Sequence, residues 1–496
     1  MSTALEYVTY TDQTPYLRVL DNAALERVHA AALDVLATVG VSVPLSQARA
    51  IFAAAGAHVD EARQRVRLPA RLVEDALAQA TTRYTLCARD PARDLLIDGA
   101  HGYLSTDGAP ATIVDLETRR PRPSTLADLE QIVALADELP AIAFLWQSVS
   151  ANDVPPAERA LRELKTCLVG STRHVQAMTV ATGHQARGAV RLAQVLAGGS
   201  QALRRRPILS TFQCAISPLV HAADALEAAL VFAAAGLPTG YLAMPLSGAT
   251  APITVAGHLV QAHAEVLSGL ALIQLAYPGT PTFYAACGTM MDPRTGALTG
   301  GGPEDALLAA ATCGLAHFCG FPVLMGVFAP GAVSNDWRSG LEGALNTAFS
   351  VLGRAEMMSG AGCLRTAQVF DPVQMVLDAE AFRLLAHVSR GVPVDDDALA
   401  VEAIRRVGLG GDYLTDAHTL RHMRAVWQPR AYRRGGPTPP DWGEREGQGE
   451  DRGQLPAAEA REYARRLLAG HEPPPLDPAL AAELEAIIAA AASGRL

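Results

Sequence analysis

Three features of the sequence predict an α/β chain built on a (β/α)8 TIM-type barrel, with a helical N-terminal segment and a C-terminal helical extension. Between residues 102 and 390, short apolar runs alternate with longer Ala/Leu-rich stretches, and the alternation repeats eight times. The short runs are apolar almost throughout, as strands covered on both faces are. Pro and Gly punctuate the boundaries where helices start and stop. An open doubly wound sheet shares this rhythm and is the alternative architecture.

Residues 1–101 form the N-terminal segment. Asn22 is the expected cap of a helix running to about Thr38, with Leu25, Val28, Ala32, Val35 and Leu36 on one face and Gly40 as its stop. Ser46 starts a second helix ending near Gly56, and Pro69 stands at the start of a third. Tyr84 to Asp107 reads as short strands and turns. The segment is a cap for the main body, without chemistry of its own.

Residues 102–390 carry the barrel. The predicted strands are Tyr103–Asp115 (a hairpin or bulged strand), Ile142–Val149, His174–Val180, Ile208–Cys214, Thr239–Met244, Thr282–Ala286, Val323–Phe328 and Glu356–Gly360. A helical run follows each: Leu126–Leu139, Ala157–Val169, Gln185–Leu196, Ala222–Ala235, Val255–Ala276, Glu304–Phe318, Leu341–Leu352 and Val373–Val388. Pro123, Pro155 and Pro303 precede or open helices, and Gly170, Gly236 and Gly320 are placed for left-handed caps. Residues 391–496 lose the rhythm: short helices lead into a Pro/Gly/charge-rich loop at Gly435–Gly453, and two final helices follow, near Pro456–Ala469 and Pro478–Ala492.

Composition narrows the function. With 49% hydrophobic and 19% charged residues there is material for a large core, and a net charge of −10 without a dense basic face disfavours nucleic acid and anionic membranes. The tight run Arg204–Arg206 reads as a solvated loop. Seven cysteines without CxxC spacing suit a reducing cytoplasm. The N-terminus lacks a signal-peptide pattern, and Gln261, His263, Glu265 and Gln274 interrupt the most apolar helix, against a membrane span.

In a barrel, function sits on the loops leaving the strand C-termini. No nucleophile elbow, zinc-protease motif, P-loop or dinucleotide fingerprint occurs there. The loop Cys287–Pro303 is Gly-rich without a phosphate cradle's spacing, His258 and His263 are five apart, and Cys313 and Cys319 lie on one helix, so no metal is expected. Lys165 is the only lysine and falls on a helix, which disfavours Schiff-base lyase or aldolase chemistry.

The strand ends instead carry aromatic and neutral side chains, in a chain with only 5% aromatics. Candidate substrate-binding residues are Trp146, Gln147, Gln213, Tyr284, Phe328, Asn335, Asp336 and Trp337, with Phe212, Tyr241, Met244 and Phe283 beside them. No catalytic residue is assigned. Ring faces near a carboxylate suit an organic cation. Asp107 or Asp336 is the expected countercharge, and Arg294 or Asn335 the partner of a carboxylate tail. Asp336 is equally suited to cap the helix beginning near Arg338.

Several stretches, in order, carry a resemblance: HAAALDVLATVGVSV, STDGAPATIVDLETRRPRPSTLADLEQIVALAD, MDPRTGALTGGGPEDALLAAA, AEMMSGAGCL and GDYLTDAHTLRHMRAVWQPRAYRR. Over about residues 20–434 the chain resembles the trimethylamine methyltransferase family, in particular its pyrrolysine-lacking, glycine betaine methyltransferase-like branch. The resemblance implies a barrel that moves a methyl group from an amine to the Co(I) centre of a separate corrinoid protein. It implies no cofactor bound by this chain, the cobalamin being the partner's. Pyrrolysine would fall near the loop after Phe328, which here reads APGAVSNDW. That departure shifts the expected substrate from trimethylamine to a quaternary amine. A non-catalytic betaine-binding protein needs the same pocket and is the second reading, and homo-oligomerisation is left open.

Overall fold

In the computed structural model, which describes residues 5–432 and 455–495, eight parallel strands close into a barrel. They are β1 (His101–Thr106), β2 (Ile142–Leu145), β3 (His174–Ala177), β4 (Leu209–Ile216), β5 (Thr239–Ala243), β6 (Tyr284–Ala286), β7 (Val323–Gly326) and β8 (Met357–Ala361). Each pairs in parallel with the next. β8 returns to β1 through Met357↔Tyr103 and Met358↔Leu104, which closes the ring and excludes the open sheet.

The surrounding helices are α1 (Leu126–Glu138), α2 (Pro156–Gly170), α3 (Gly183–Ala197), α4 (Ala223–Ala234), α5 (Val255–Ala276), α6 (Pro303–Phe318), α7 (Trp337–Leu352) and α8 (Pro372–Val388). Local chemistry sets their starts. Thr125 and Asp128 form a reciprocal capping box at α1, Thr182 caps α3, and Asp371 caps α8 with Pro372 at its first position. Gly236 and Gly320 adopt the expected left-handed conformation, whereas Gly170 is simply the last helical residue of α2. Helix α5 is the one helix among the described residues long and apolar enough to cross a membrane. It packs on β5 and on the N-terminal helices, with 78% of its apolar stretch buried inside the fold.

Strand parity divides the core. Leu104, Leu145, Val175, Leu209, Tyr241, Tyr284 and Met358 pack outward under the helices. Tyr103, Phe144, Trp146, Phe212, Leu242, Phe283, Leu324 and Met357 fill the lumen. Leu86, Leu95 and Ile97 join that inner cluster from an antiparallel hairpin, Tyr84–Leu86 with Leu95–Ile97, and close the N-terminal end of the barrel.

The N-terminal segment holds helices and short strands. Its helices Asn22–Thr38, Ser46–Ala54 and Ala70–Leu77 are joined by short strands, and Asp21, not Asn22, caps the first helix. The stretch Tyr103–Asp115, expected as a hairpin or bulged strand, divides into two strands that do not pair with each other. Beyond β1, Thr112–Val114 joins a small rim sheet with Pro121–Pro123, Val369–Phe370 and Cys363–Leu364. At the other terminus, helix Leu455–Gly470 lies on α8 and α1, and helix Pro478–Ala492 on α2 and α3. The loop expected at Gly435–Gly453 lies outside the described residues.

Candidate active site

The lumen is packed at its lower levels and opens at the C-terminal ends of the strands. Asp107 follows β1 on the inward parity of Tyr103 and Ser105, and Cys287 follows β6 on that of Phe283 and Ala285. The Cys287 side chain is exposed to solvent although protein surrounds it, as it must be if it lines an open hollow. Two glycines keep this hollow free. A Cβ on Gly326 would stand 2.5 Å from Cys287 Sγ, and one on Gly108 would stand 1.7 Å from Met178 Cε.

One wall is aromatic. Trp146 stacks obliquely on Phe212, with ring centroids 5.0 Å apart. Its indole Nε1 donates to Gln176 Oε1 at 2.7 Å, and Gln176 Nε2 donates to Ser210 Oγ at 3.2 Å, so the ring is held by a buried chain of hydrogen bonds. Met178 adjoins Trp146 across Gly108, and Met244, 52% exposed, stands at the end of β5.

The charge in the mouth comes from Asp107. Burial pushes its carboxyl up to about 6, against a partial offset from the Gly108 amide, which donates to Oδ1 at 2.9 Å. At neutral pH it is chiefly a carboxylate. Burial above all, then the Asp107 and Asp305 charges, pushes the Cys287 thiol up to about 12, and burial does the same for Cys214. These thiols are protonated at neutral pH and are not poised as nucleophiles.

Behind Asp107 runs a partly buried polar chain. Arg119 pairs with Asp371 at 2.6 Å and donates to Asn335 Oδ1 at 2.7 Å. Asn335 Nδ2 donates to Gln374 Oε1 at 2.9 Å, and Gln374 Nε2 to Asp378 Oδ1 at 2.7 Å. Asp378 also accepts from the Gly362 amide, and burial first, then the Asp371 and Asp107 charges, pushes its carboxyl up to about 7. The chain ties the loops after β1, β7 and β8 into one rim. In the loop after β8, Arg365, Thr366 and Ala367 are all left-handed, a strained run for residues with side chains.

Of the residues expected to touch substrate, only Trp146 has its side chain in the mouth, together with Phe212, Met244 and Asp107. Gln147 and Gln213 have the outward parity and clasp the loop after β3 from two sides: Gln147 Oε1 accepts from the Met178 amide at 2.8 Å, and Gln213 Nε2 donates to the Val180 carbonyl at 3.0 Å. Tyr284 and Tyr241 face the helix layer, Tyr284 with its hydroxyl 3.3 Å from His263 Nδ1. Phe328 is buried beneath α7 beside Gly343. Asn335 belongs to the polar chain, and Asp336 caps α7, accepting from the amides of Arg338 and Ser339. Trp337 is 79% exposed on the rim, and Arg294 is spent on its neighbour Asp292. Sequence reasoning passed over Cys287, Cys214, Met178 and Gln176. Their only signal was inward parity at a strand end.

Among the described residues the mouth combines an aromatic wall, one carboxylate and protonated thiols. The sequence profile of the trimethylamine methyltransferase family matches residues 2–493, and the chain belongs to that family. It is 30% identical over 474 residues to a trimethylamine methyltransferase of Desulfitobacterium hafniense (strain DSM 10664 / DCB-2), covering 94% of this chain and 92% of the relative. It is 29% identical over 482 residues to the glycine betaine methyltransferase of Desulfitobacterium hafniense (strain Y51), covering 96% and 97%. Among solved structures, the monomethylamine methyltransferase of Methanosarcina barkeri superposes with a TM-score of 0.50 at 11% identity, over 93% of this chain and 96% of that one. The last likeness concerns the fold alone.

Proposed function

We propose that this methyltransferase removes a methyl group from a quaternary amine of the glycine betaine type and delivers it to the Co(I) centre of a separate corrinoid protein. The observation that carries the reading is one carboxylate, Asp107, set beside the Trp146–Phe212 wall in an open barrel mouth. A tetraalkylammonium has no N–H to donate, so it is recognised by charge and by ring faces rather than by hydrogen bonds. Trp146 spends its N–H on Gln176, which fixes the ring without consuming its face.

The corrinoid, a co-substrate on its own protein, supplies a two-electron nucleophile. The electron pair of the N–CH3 bond leaves with nitrogen as a neutral tertiary amine. No proton is transferred, so the chain needs neither general acid nor base, in keeping with a mouth whose thiols are protonated. Its residues strip water from the cation, hold one methyl toward the opening, and admit the partner. Ile216 at the end of β4, Met244 and Val333 on the loops after β5 and β7, and Trp337 at the start of α7 are all exposed and give that face an apolar rim suited to a protein surface.

Trimethylamine would fit the same wall. The loop after Phe328, however, contains only the standard twenty residues, unlike the pyrrolysine-bearing members the chain resembles. Formation of methylcobalamin from Co(I) cobalamin with glycine betaine, carnitine, proline betaine or trimethylamine separates the readings. Turnover of a betaine is expected. Turnover of trimethylamine alone would overturn the substrate assignment, and betaine binding without methyl transfer from any amine would favour a binding protein.

A further inference from the structure

Away from the mouth, three side chains from distant parts of the chain converge outside the barrel wall. His29 comes from helix Asn22–Thr38 of the N-terminal segment, His263 from α5, and Cys319 caps the end of α6. His29 Nδ1 lies 2.9 Å from His263 Nε2, and Cys319 Sγ lies 3.6 Å from the first and 3.8 Å from the second. All three atoms fall within 4.8 Å of one another. We propose that His29, His263 and Cys319 form a zinc site that fastens the N-terminal cap to the barrel.

The triangle has nearly the dimensions a tetrahedral metal requires. Zn–N bonds of about 2.05 Å and a Zn–S bond of about 2.3 Å place nitrogens about 3.3 Å apart and each nitrogen about 3.6 Å from sulfur. The observed edges therefore need an opening of a few tenths of an ångström at the nitrogen pair and little movement at sulfur. The close approach of two ring nitrogens already requires one of them to present a lone pair, the same lone pair a metal takes. His263 is also oriented from behind, since its Nδ1 faces the hydroxyl of buried Tyr284 at 3.3 Å, the arrangement that steadies a ligating imidazole. One thiol and two imidazoles are a borderline-soft set that favours zinc over magnesium or calcium.

His29 and Cys319 are only partly buried, so water can complete the coordination. Binding expels the thiol proton to solvent and changes no oxidation state. Cys319 ends α6, at the opposite end of the barrel from the mouth. The site is therefore structural, and it clamps the helix carrying His29 across α5 and α6.

The test uses the full chain, stripped with chelator, reloaded with zinc or with Co(II), and desalted. Metal analysis is expected to find about one zinc per chain, and His29→Gln and Cys319→Ser to weaken retention at least tenfold. Co(II) loading is expected to give tetrahedral d–d bands with a thiolate-to-cobalt charge-transfer band. That band should vanish in Cys319→Ser and persist in His422→Gln, which removes a ligand from the surface trio Asp397, His418 and His422. Circular dichroism verifies folding, and the conservative His29→Gln, at a partly exposed position, keeps the test usable if Cys319→Ser fails to fold. Absence of retained zinc in the reloaded wild-type chain, or zinc content unchanged by both ligand variants, would overturn the proposal.

Discussion

Replacing Asp107 by Asn removes the charge from the mouth while keeping the shape of the side chain, and it moves binding and stability in opposite directions. For binding, a cation about 5 Å from the carboxylate at an effective dielectric near 20 gains roughly 3 kcal/mol. Part of this survives as the Asn dipole, so glycine betaine affinity is expected to fall about thirty- to a hundredfold, or 2–3 kcal/mol. For stability, the folded-state pKa of about 6 lies above the ordinary 3.8, so the charged carboxylate is the form that folding disfavours. The resulting penalty is complete above about pH 6 and is relieved as pH falls toward 4, and at neutral pH it amounts to at most about 3 kcal/mol. Asp107→Asn should therefore melt higher than wild type at pH 7.5, with the gap closing in acid. Wild-type affinity should rise as pH increases through about 6, whereas the variant's should be flat. Isothermal titration and thermal melts across this range provide both readouts. Unchanged betaine affinity in a folded Asp107→Asn would refute the argument, as would a wild-type profile without an inflection near pH 6.

Trp146→Ala should cost the desolvated cation–π contact, about 2 kcal/mol or thirtyfold in betaine affinity, while Trp146→Phe should recover most of it; titration calorimetry reads both. Asp336→Ala should lower stability by about 1 kcal/mol through loss of the α7 cap and leave betaine affinity unchanged, measured by denaturant unfolding and titration. Arg119→Ala should destabilise by about 3 kcal/mol, because it leaves Asp371, only 1% exposed, without its cation; urea unfolding decides it.

The barrel was legible because its signals are local. Eight buried runs, each followed by a helical stretch, specify eight βα units, and α6, α5 and the strands fall close to where their sequences put them. The family was legible because the ordered segments span most of the chain. Of the mouth, only its aromatic character was legible. Each strand end offers two neighbouring candidates, Trp146 or Gln147, Phe212 or Gln213, and a period of two sends one to the lumen and the other to the helices. Only the closed ring chose Trp146, Phe212 and Cys287 for the mouth and assigned Gln147, Gln213 and Tyr284 to holding the wall. The loop after β7 was ambiguous for a related reason: Asp336 satisfies its helix whether or not a ligand is near, and Asn335 finds Arg119 and Gln374 only when two further loops arrive. The same physics hides the cluster of His29, His263 and Cys319. Residues separated by 234 and 56 positions share no local pattern, and it is the docking of the N-terminal helix on α5 and α6 that brings their lone pairs together.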